Sequence, residues 1–381
     1  MYFARWGIAL LLLSGAAAPA QELQPVSGKR QREAVPCPVP CLPGYPPAGA
    51  APDSGTAPAP PSDAAQPPSS PFNEALASAG EAGTQPAASY MPGFFGDLLG
   101  GFGTKPIASP NGVRRFVFAP ITSHAGAIKI TDNESPRPVD RVFWFYNEFS
   151  YVNFSSNTNL EPINLQRHVF GFEKTFLDGW ASVGMRLPVV ITDGPPQVSV
   201  REFADMTIIT KLALWDDRRT GRFLSAGLAI TVPTGQSETF VSPTSGNAFV
   251  LSDVILQPYV GWILGGNSRL YAHGFTALAI PTDSKDVTVL FNDFGVGYWL
   301  WQSGDDPFIR GIVPTMELHI NTPLNHRGKD SGTIGFSDVV DLTWGLQLIL
   351  PRSILGGAVG MPLTGPRPFG VEAMARYELR F

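Results

Sequence analysis

Cysteine is almost absent from the 381 residues: Cys37 and Cys41, in "CPVPC", are the only two. With no second pair and no flanking histidine, they do not read as a metal site; they are either incidental or a local staple. Charge is scarce too, at 15% of residues against about a quarter in ordinary soluble chains. The net charge of −5 lacks the basic excess that nucleic acid would require. Histidine occurs at His124, His168, His273, His319 and His326, never in a His-x-Ser pair, and GxSxG, HExxH and phosphate-loop motifs are missing. No enzyme, cofactor or metal is expected on that basis, and a lipid hydrolase is the weakest reading. After residue 20 no clean apolar run reaches about 18 residues, which excludes membrane helices.

What is there begins with "MYFARWGIALLLLSGAAAPA". Arg5, a short apolar run and Ala18-Pro19-Ala20 predict a cleaved secretory signal over 1–20. Residues 21–89 are rich in Pro, Ala, Ser and Gly. They hold too few large apolar groups to offset their ordering entropy, so they read as a disordered periplasmic linker. The stretch 90–138 differs. "MPGFFGDLLGGFGT" clusters Phe94, Phe95, Leu98, Leu99 and Phe102 at near-helical spacing, which suits a short helix, a plug or an unstructured junction. "RRFVFAPI" adds a strand-like run, and further strands can hide near 105–120.

From residue 139 the hydrophobic period is two. In "VVDLTWGLQLIL", Val340, Leu342, Trp344, Leu346 and Leu348 alternate with Asp341, Thr343, Gly345 and Gln347. The same alternation predicts twelve strands, near 139–154, 165–178, 180–192, 202–215, 222–233, 250–264, 268–281, 291–302, 308–321, 337–351, 353–363 and 369–381. Their length suits tilted strands crossing a bilayer. The connections alternate short ("DG", "DDRRTG", "GGN", "SGDDP", "PRS") and long, a layout that a transmembrane barrel has reason to adopt and a sandwich does not. Aromatic pairs bracket the short turns: Phe176 and Trp180, Trp215 and Phe223, Trp262 and Tyr271, Trp301 and Phe308. They read as a girdle on one interface. The fold class is therefore all-β, a transmembrane antiparallel β-barrel over 139–381.

The last strand carries the pattern to Phe381, with Tyr377 and Leu379 on the same face. This ending resembles the C-terminal signal of bacterial outer-membrane β-barrel proteins. The resemblance implies an outer-membrane location and recognition of Tyr377, Leu379 and Phe381 by the barrel-assembly machinery. Strand ends "AITVPTG" and "LAIPTD" are similar to those of an outer-membrane transporter family associated with the meta-cleavage pathway of phenol degradation.

The polar parity of the strands places Arg186, Asp205, Lys211, Asp293, Glu317, His319, Asp341, Gln347, Glu372, Arg376, Glu378 and Arg380 in the lumen. They line a permeation path or form an ion-pair network that fills the bore. Inward Gly227, Gly295, Gly297 and Gly345 leave space and tilt the balance toward a pore. The first strand, "RVFWFYNEFSYVNF", is apolar on both faces, so some aromatics must point inward, to meet a hydrophobic solute or to clamp the 91–104 segment. The expected function is a passive channel for small neutral or hydrophobic solutes, with a non-conducting envelope anchor as the alternative. Outer-membrane lipid is the expected surrounding, and the oligomeric state stays open.

Overall fold

The computed structural model describes residues 91–97, 100–107, 115–122, 129–158, 160–303, 308–328 and 332–381. The expected signal and linker, Cys37, Cys41 and His124 lie outside them. Two strands precede the barrel, β1 (Gly101–Ile107) and β2 (Arg115–Pro120). Then come β3 (Arg141–Val152), β4 (Ile163–Phe176), β5 (Ala181–Asp193), the short β6 (Val200–Phe203), β7 (Met206–Asp217) and β8 (Arg222–Val232). A loop hairpin, β9 (Glu238–Val241) and β10 (Ala248–Leu251), leads to β11 (Ile255–Leu264), β12 (Leu270–Pro281), β13 (Val289–Tyr298) and β14 (Trp301–Gln302). The chain finishes with β15 (Gly311–Pro323), β16 (Ile334–Phe336), β17 (Val339–Ile349), β18 (Ser353–Pro362) and β19 (Val371–Arg380). No helix occurs among the described residues.

Twelve of these strands pair antiparallel in the ring β3-β4-β5-β7-β8-β11-β12-β13-β15-β17-β18-β19, and β19 pairs back on β3, from Val371↔Ser150 to Arg380↔Arg141. The closure follows from solvent. In hydrocarbon each unpaired backbone group costs several kcal/mol, so no strand edge can stay open. The period-two pattern then sorts the side chains, as the wall of β17 illustrates: Trp344 and Leu346 are 53% and 54% exposed outward, whereas Thr343 and Gln347 are fully buried inward. Val260, Phe294, Val359 and Tyr377 continue the outward apolar surface, which is far larger than a water-facing monomer carries.

Four expectations are corrected. The 91–104 stretch is not helical; residues 91–97 are irregular and β1 is a strand. Residues 248–251 belong to the β9–β10 hairpin, so the strand expected at 250–264 starts at Ile255. Residues 200–203 form a separate strand on β5, and β7 starts only after the break at Ala204 and Asp205. Of the eight girdle aromatics, Phe223 and Tyr271 are buried and turn into the bore. Both sit where a turn shifts parity by one residue, a shift that reverses the face.

The segment before β3 runs through the bore twice. Met91 packs at the short-turn end, among Phe223, Tyr271, Trp299, Ile349 and Ile354. The chain then rises to the long-loop end, where β1 pairs with β2 and with β16 of the β15–β17 loop. Val241 of the loop hairpin accepts from Thr104 Oγ1, and Glu238 accepts from Thr122 N–H (3.1 Å). From Lys129 the chain descends again to Asp140. There Oδ1 accepts from Thr175 N–H (2.6 Å) and Oγ1 (2.8 Å), and Oδ2 from Lys174 (3.0 Å). Slight burial works to raise the Asp140 carboxyl, but these donors outweigh it and hold it below the usual carboxylate range.

Candidate functional site

The two passes through the bore bond to each other and to the wall. Phe94 N–H donates to Glu134 C=O (2.8 Å) and Asn133 N–H to Phe95 C=O (3.0 Å). Gly96 adopts φ +76°, a conformation L side chains rarely enter, and a Cβ there would stand 2.7 Å from the Asp132 backbone. That bend turns the N–H groups of Phe95 and Gly96 together onto the two carboxylate oxygens of Glu317, at 2.8 and 3.0 Å. Opposite charges of the wall take the carbonyls: Arg376 donates to Gly93 (3.2 Å) and Phe94 (3.1 Å), and Gln347 to Gly93 (3.2 Å). Arg376 also donates to Gln347 Oε1. Arg186 donates to the carbonyls of Lys129 and Ile130, both at 2.8 Å.

Two ion clusters fix the descending pass. Glu134 meets Arg141 (2.6 Å), Arg186 (3.0 Å) and Lys211 (2.9 Å), while Arg141 also meets Glu173 (2.9 Å) and Glu378 (3.0 Å). Lys211 reaches Glu173 as well, at 2.8 Å. Higher in the bore, Lys129 Nζ lies 2.6 Å from Asp293, 3.0 Å from Asp97 and 3.2 Å from Asn321 Oδ1. His319 Nδ1 is 2.8 Å from Asp293, and its Nε2 is 3.4 Å from Glu317. Asp341 accepts from Asn321 (3.0 Å) and Glu372 from Asn147 (2.5 Å). Arg167 pairs with Asp132 at 3.2 Å.

Aromatic seats complete the site. Phe94 stacks on His273, centroids 4.0 Å apart, and packs with Phe275. Phe95 packs with Phe143, Phe145, Val169, Ala358 and Met374, and lies over the inward Gly345. The inward aromatics of the first barrel strand therefore clamp the segment. Beside Glu134, Arg141 and Arg186 the remaining cavity is about 10 Å³, room for about one water.

The residues expected in the lumen thus occupy distinct places. Arg186, Lys211, Asp293, Glu317, His319, Asp341, Gln347, Glu372, Arg376 and Glu378 are buried around the threaded segment. Asp205 stands apart at the long-loop rim, where Oδ1 accepts from Gly235 N–H (2.8 Å). Arg380 is half-buried at the short-turn end against Glu378 (2.6 Å). Sequence reasoning missed Arg141, Asn147, Arg167, Glu173, His273 and Asn321 on the wall, and Asp97, Lys129 and Glu134 on the segment. The wall residues share the parity of their strands' inward faces, so the alternation itself was the signal.

Gly345→Val tests the seat of Phe95. The added methyls meet the ring and overpack the bore, at a cost of about 1–3 kcal/mol. Limited proteolysis within 91–138 is expected to accelerate while the barrel core resists.

A closed antiparallel ring with an apolar outside and a polar inside defines the class: a membrane-spanning β-barrel. No family model matches the chain, and no curated protein does. Among solved structures it is similar to an outer-membrane channel from Pseudomonas putida F1, at 12% identity and TM-score 0.46, over 67% of this chain and 100% of that one. The KdgM porin (8% identity, TM-score 0.36) covers 63% of this chain and 99% of its own. The NanC porin (10%, 0.36) covers 64% and 98%. Identities this low carry no residue of the site across.

Proposed function

We propose that the chain is an outer-membrane channel, shut in this conformation by its own residues 91–138, that passes small neutral or hydrophobic solutes once the segment is withdrawn. One observation carries the reading: the bore is filled by a threaded segment rather than by the wall's own side chains. A barrel used only as an anchor has no need of a wide bore and a separate filling. The wall supports the solute class. Its charges are of both signs, with Arg186, Lys211 and Arg376 set among Glu173, Glu317 and Asp341, so no strong ion selectivity follows. Phe143, Phe145, Val169 and Met374 form an apolar strip beside them. The strand ends "AITVPTG" and "LAIPTD" keep the phenol-associated transporter family as the narrower reading. Tyr377, Leu379 and Phe381, outward and 41%, 37% and 65% exposed, are the proposed contact for the assembly machinery.

The test compares the refolded full chain with a form lacking residues 21–137, each checked for heat-modifiable mobility as a folded barrel. The full chain is expected to conduct rarely in planar bilayers. The shortened form should conduct steadily and swell liposomes in small neutral solutes. If neither passes ions or solutes, the anchor reading replaces the channel. Recovery of the native protein in a soluble fraction, or with Met1 retained, would remove the outer-membrane assignment.

A further inference from the structure

Three buried carboxylates in the bore share one pattern. Asp97, on the threaded segment, gives Oδ1 to Lys129 (3.0 Å) and leaves Oδ2 without a protein partner. Asp341, on β17, gives Oδ2 to Asn321 (3.0 Å) and leaves Oδ1. Glu372, on β19, gives Oε1 to Asn147 (2.5 Å) and leaves Oε2.

These carboxylates are neighbours. Asp97 and Asp341 are in hydrogen-bonding contact, although neither has a hydrogen to give when ionised. Asp97 is also the strongest charged neighbour of Glu372. A fourth oxygen without a partner, Thr343 Oγ1, belongs to a fully buried residue of β17. A methyl group on the inward Gly360 would stand 3.0 Å from Glu372 Oε2 and 3.3 Å from Thr343 Oγ1, so both atoms flank one small space.

No protein cation fills that space. The Lys129 ammonium is engaged by Asp97 Oδ1, Asp293 and Asn321. It already sits among Asp97, Asp293 and His319, whose donor atoms lie within 4.8 Å of one another, so that trio has its cation. Arg167 is paired with Asp132 and Asn147. Two unit charges about 4 Å apart repel by about 4 kcal/mol even at an effective dielectric constant near 20, so the facing carboxylates need a positive charge between them.

The donor set is oxygen only, and it comes from three separate elements. That suits a hard cation with flexible coordination, calcium, better than magnesium with its strict octahedron. We propose that Asp97, Asp341, Thr343 and Glu372 form a calcium-class divalent-cation site, completed by water, that staples the threaded segment to β17 and β19. The site stands whether or not the bore conducts.

The experiment uses the full chain, refolded in detergent free of lipopolysaccharide, stripped with EDTA and dialysed. Calcium chloride is added, with magnesium chloride in parallel. Elemental analysis after dialysis is expected to find one calcium per chain, and calcium should raise the thermal transition by several degrees, magnesium less. Asp341→Asn combined with Glu372→Gln is expected to abolish retention and shift together. Thr343→Val, a milder change, should weaken calcium binding about tenfold, the weight of one lost ligand, with heat-modifiable mobility unchanged. Glu148→Gln, on the outward face, should change neither.

Absence of stoichiometric calcium in the folded wild-type chain overturns the proposal, as does retention that survives the double substitution. Stability of the stripped chain that falls with rising pH and ignores calcium would assign the space to a shared proton, and overturns it equally.

Discussion

Arg141→Met is expected to lower the stability of the folded chain by about 3–5 kcal/mol, the loss seen when one partner of a buried ion cluster is removed. Arg141 is only 2% exposed and opens β3, opposite Arg380 of β19, where the ring closes. Its guanidinium meets three carboxylates from three elements: Glu134 of the threaded segment, Glu173 of β4 and Glu378 of β19. Methionine keeps the bulk and removes the charge. Lys211 still reaches Glu134 and Glu173, but Glu378 keeps only the half-buried Arg380. Lys174→Ala is the contrast. Lys174 pairs with Asp140 at 3.0 Å but is 61% exposed in its side chain, so solvent screens the pair and the loss should stay below about 1 kcal/mol. Urea unfolding in detergent micelles, followed by tryptophan fluorescence, measures both. Equal losses for the two substitutions would show that the seam cluster carries no special weight.

The barrel was legible because its two signals are local. Alternation inside β17 and β19, and turn residues such as Asp178 and Gly179 (φ 52° and 83°), act within a few residues of each other. Strand ends were less legible where alternation breaks. The bulge between Ala213 and Trp215 leaves Leu214 and Trp215 both exposed, and a pattern of strict period two cannot mark it. The β9–β10 hairpin was merged into its neighbour because Ala248–Leu251 and Ile255–Leu264 are both apolar, and only tertiary pairing separates them.

The site was half legible. Parity alone finds Asp293, Glu317 and His319, since each sits between outward apolar neighbours on its strand. Parity cannot find what those residues bind. Phe94, Phe95, Asp97, Lys129 and Glu134 lie in an irregular segment whose conformation is set by the wall, at sequence separations above 200 residues for the Phe95–Glu317 bond. Near-helical spacing of Phe94, Phe95 and Leu98 was a weak local preference, and the two hydrogen bonds to Glu317 outweigh it.

Lys129→Met is expected to unseat the segment without opening the wall. Lys129 belongs to the threaded chain, while Asp293, His319 and Asn321 belong to β13 and β15, so the substitution removes a bond between filling and wall. Its ammonium is fully buried, and methionine leaves Asp97 and Asp293 facing each other uncompensated. A loss of about 3–5 kcal/mol in docking is then expected, which multiplies the undocked population by roughly 10²–10⁴. The ladder hydrogen bonds that close the ring are untouched, so heat-modifiable mobility should persist while opening events in planar bilayers become frequent. Adding Asp293→Asn removes the facing charge as well. Replacing both members of a buried pair is far cheaper than breaking it, so the double variant should return most of the way to the closed behaviour. Conductance of Lys129→Met that stays as rare as that of the wild-type chain, in a barrel that folds, would show that the segment does not control the bore.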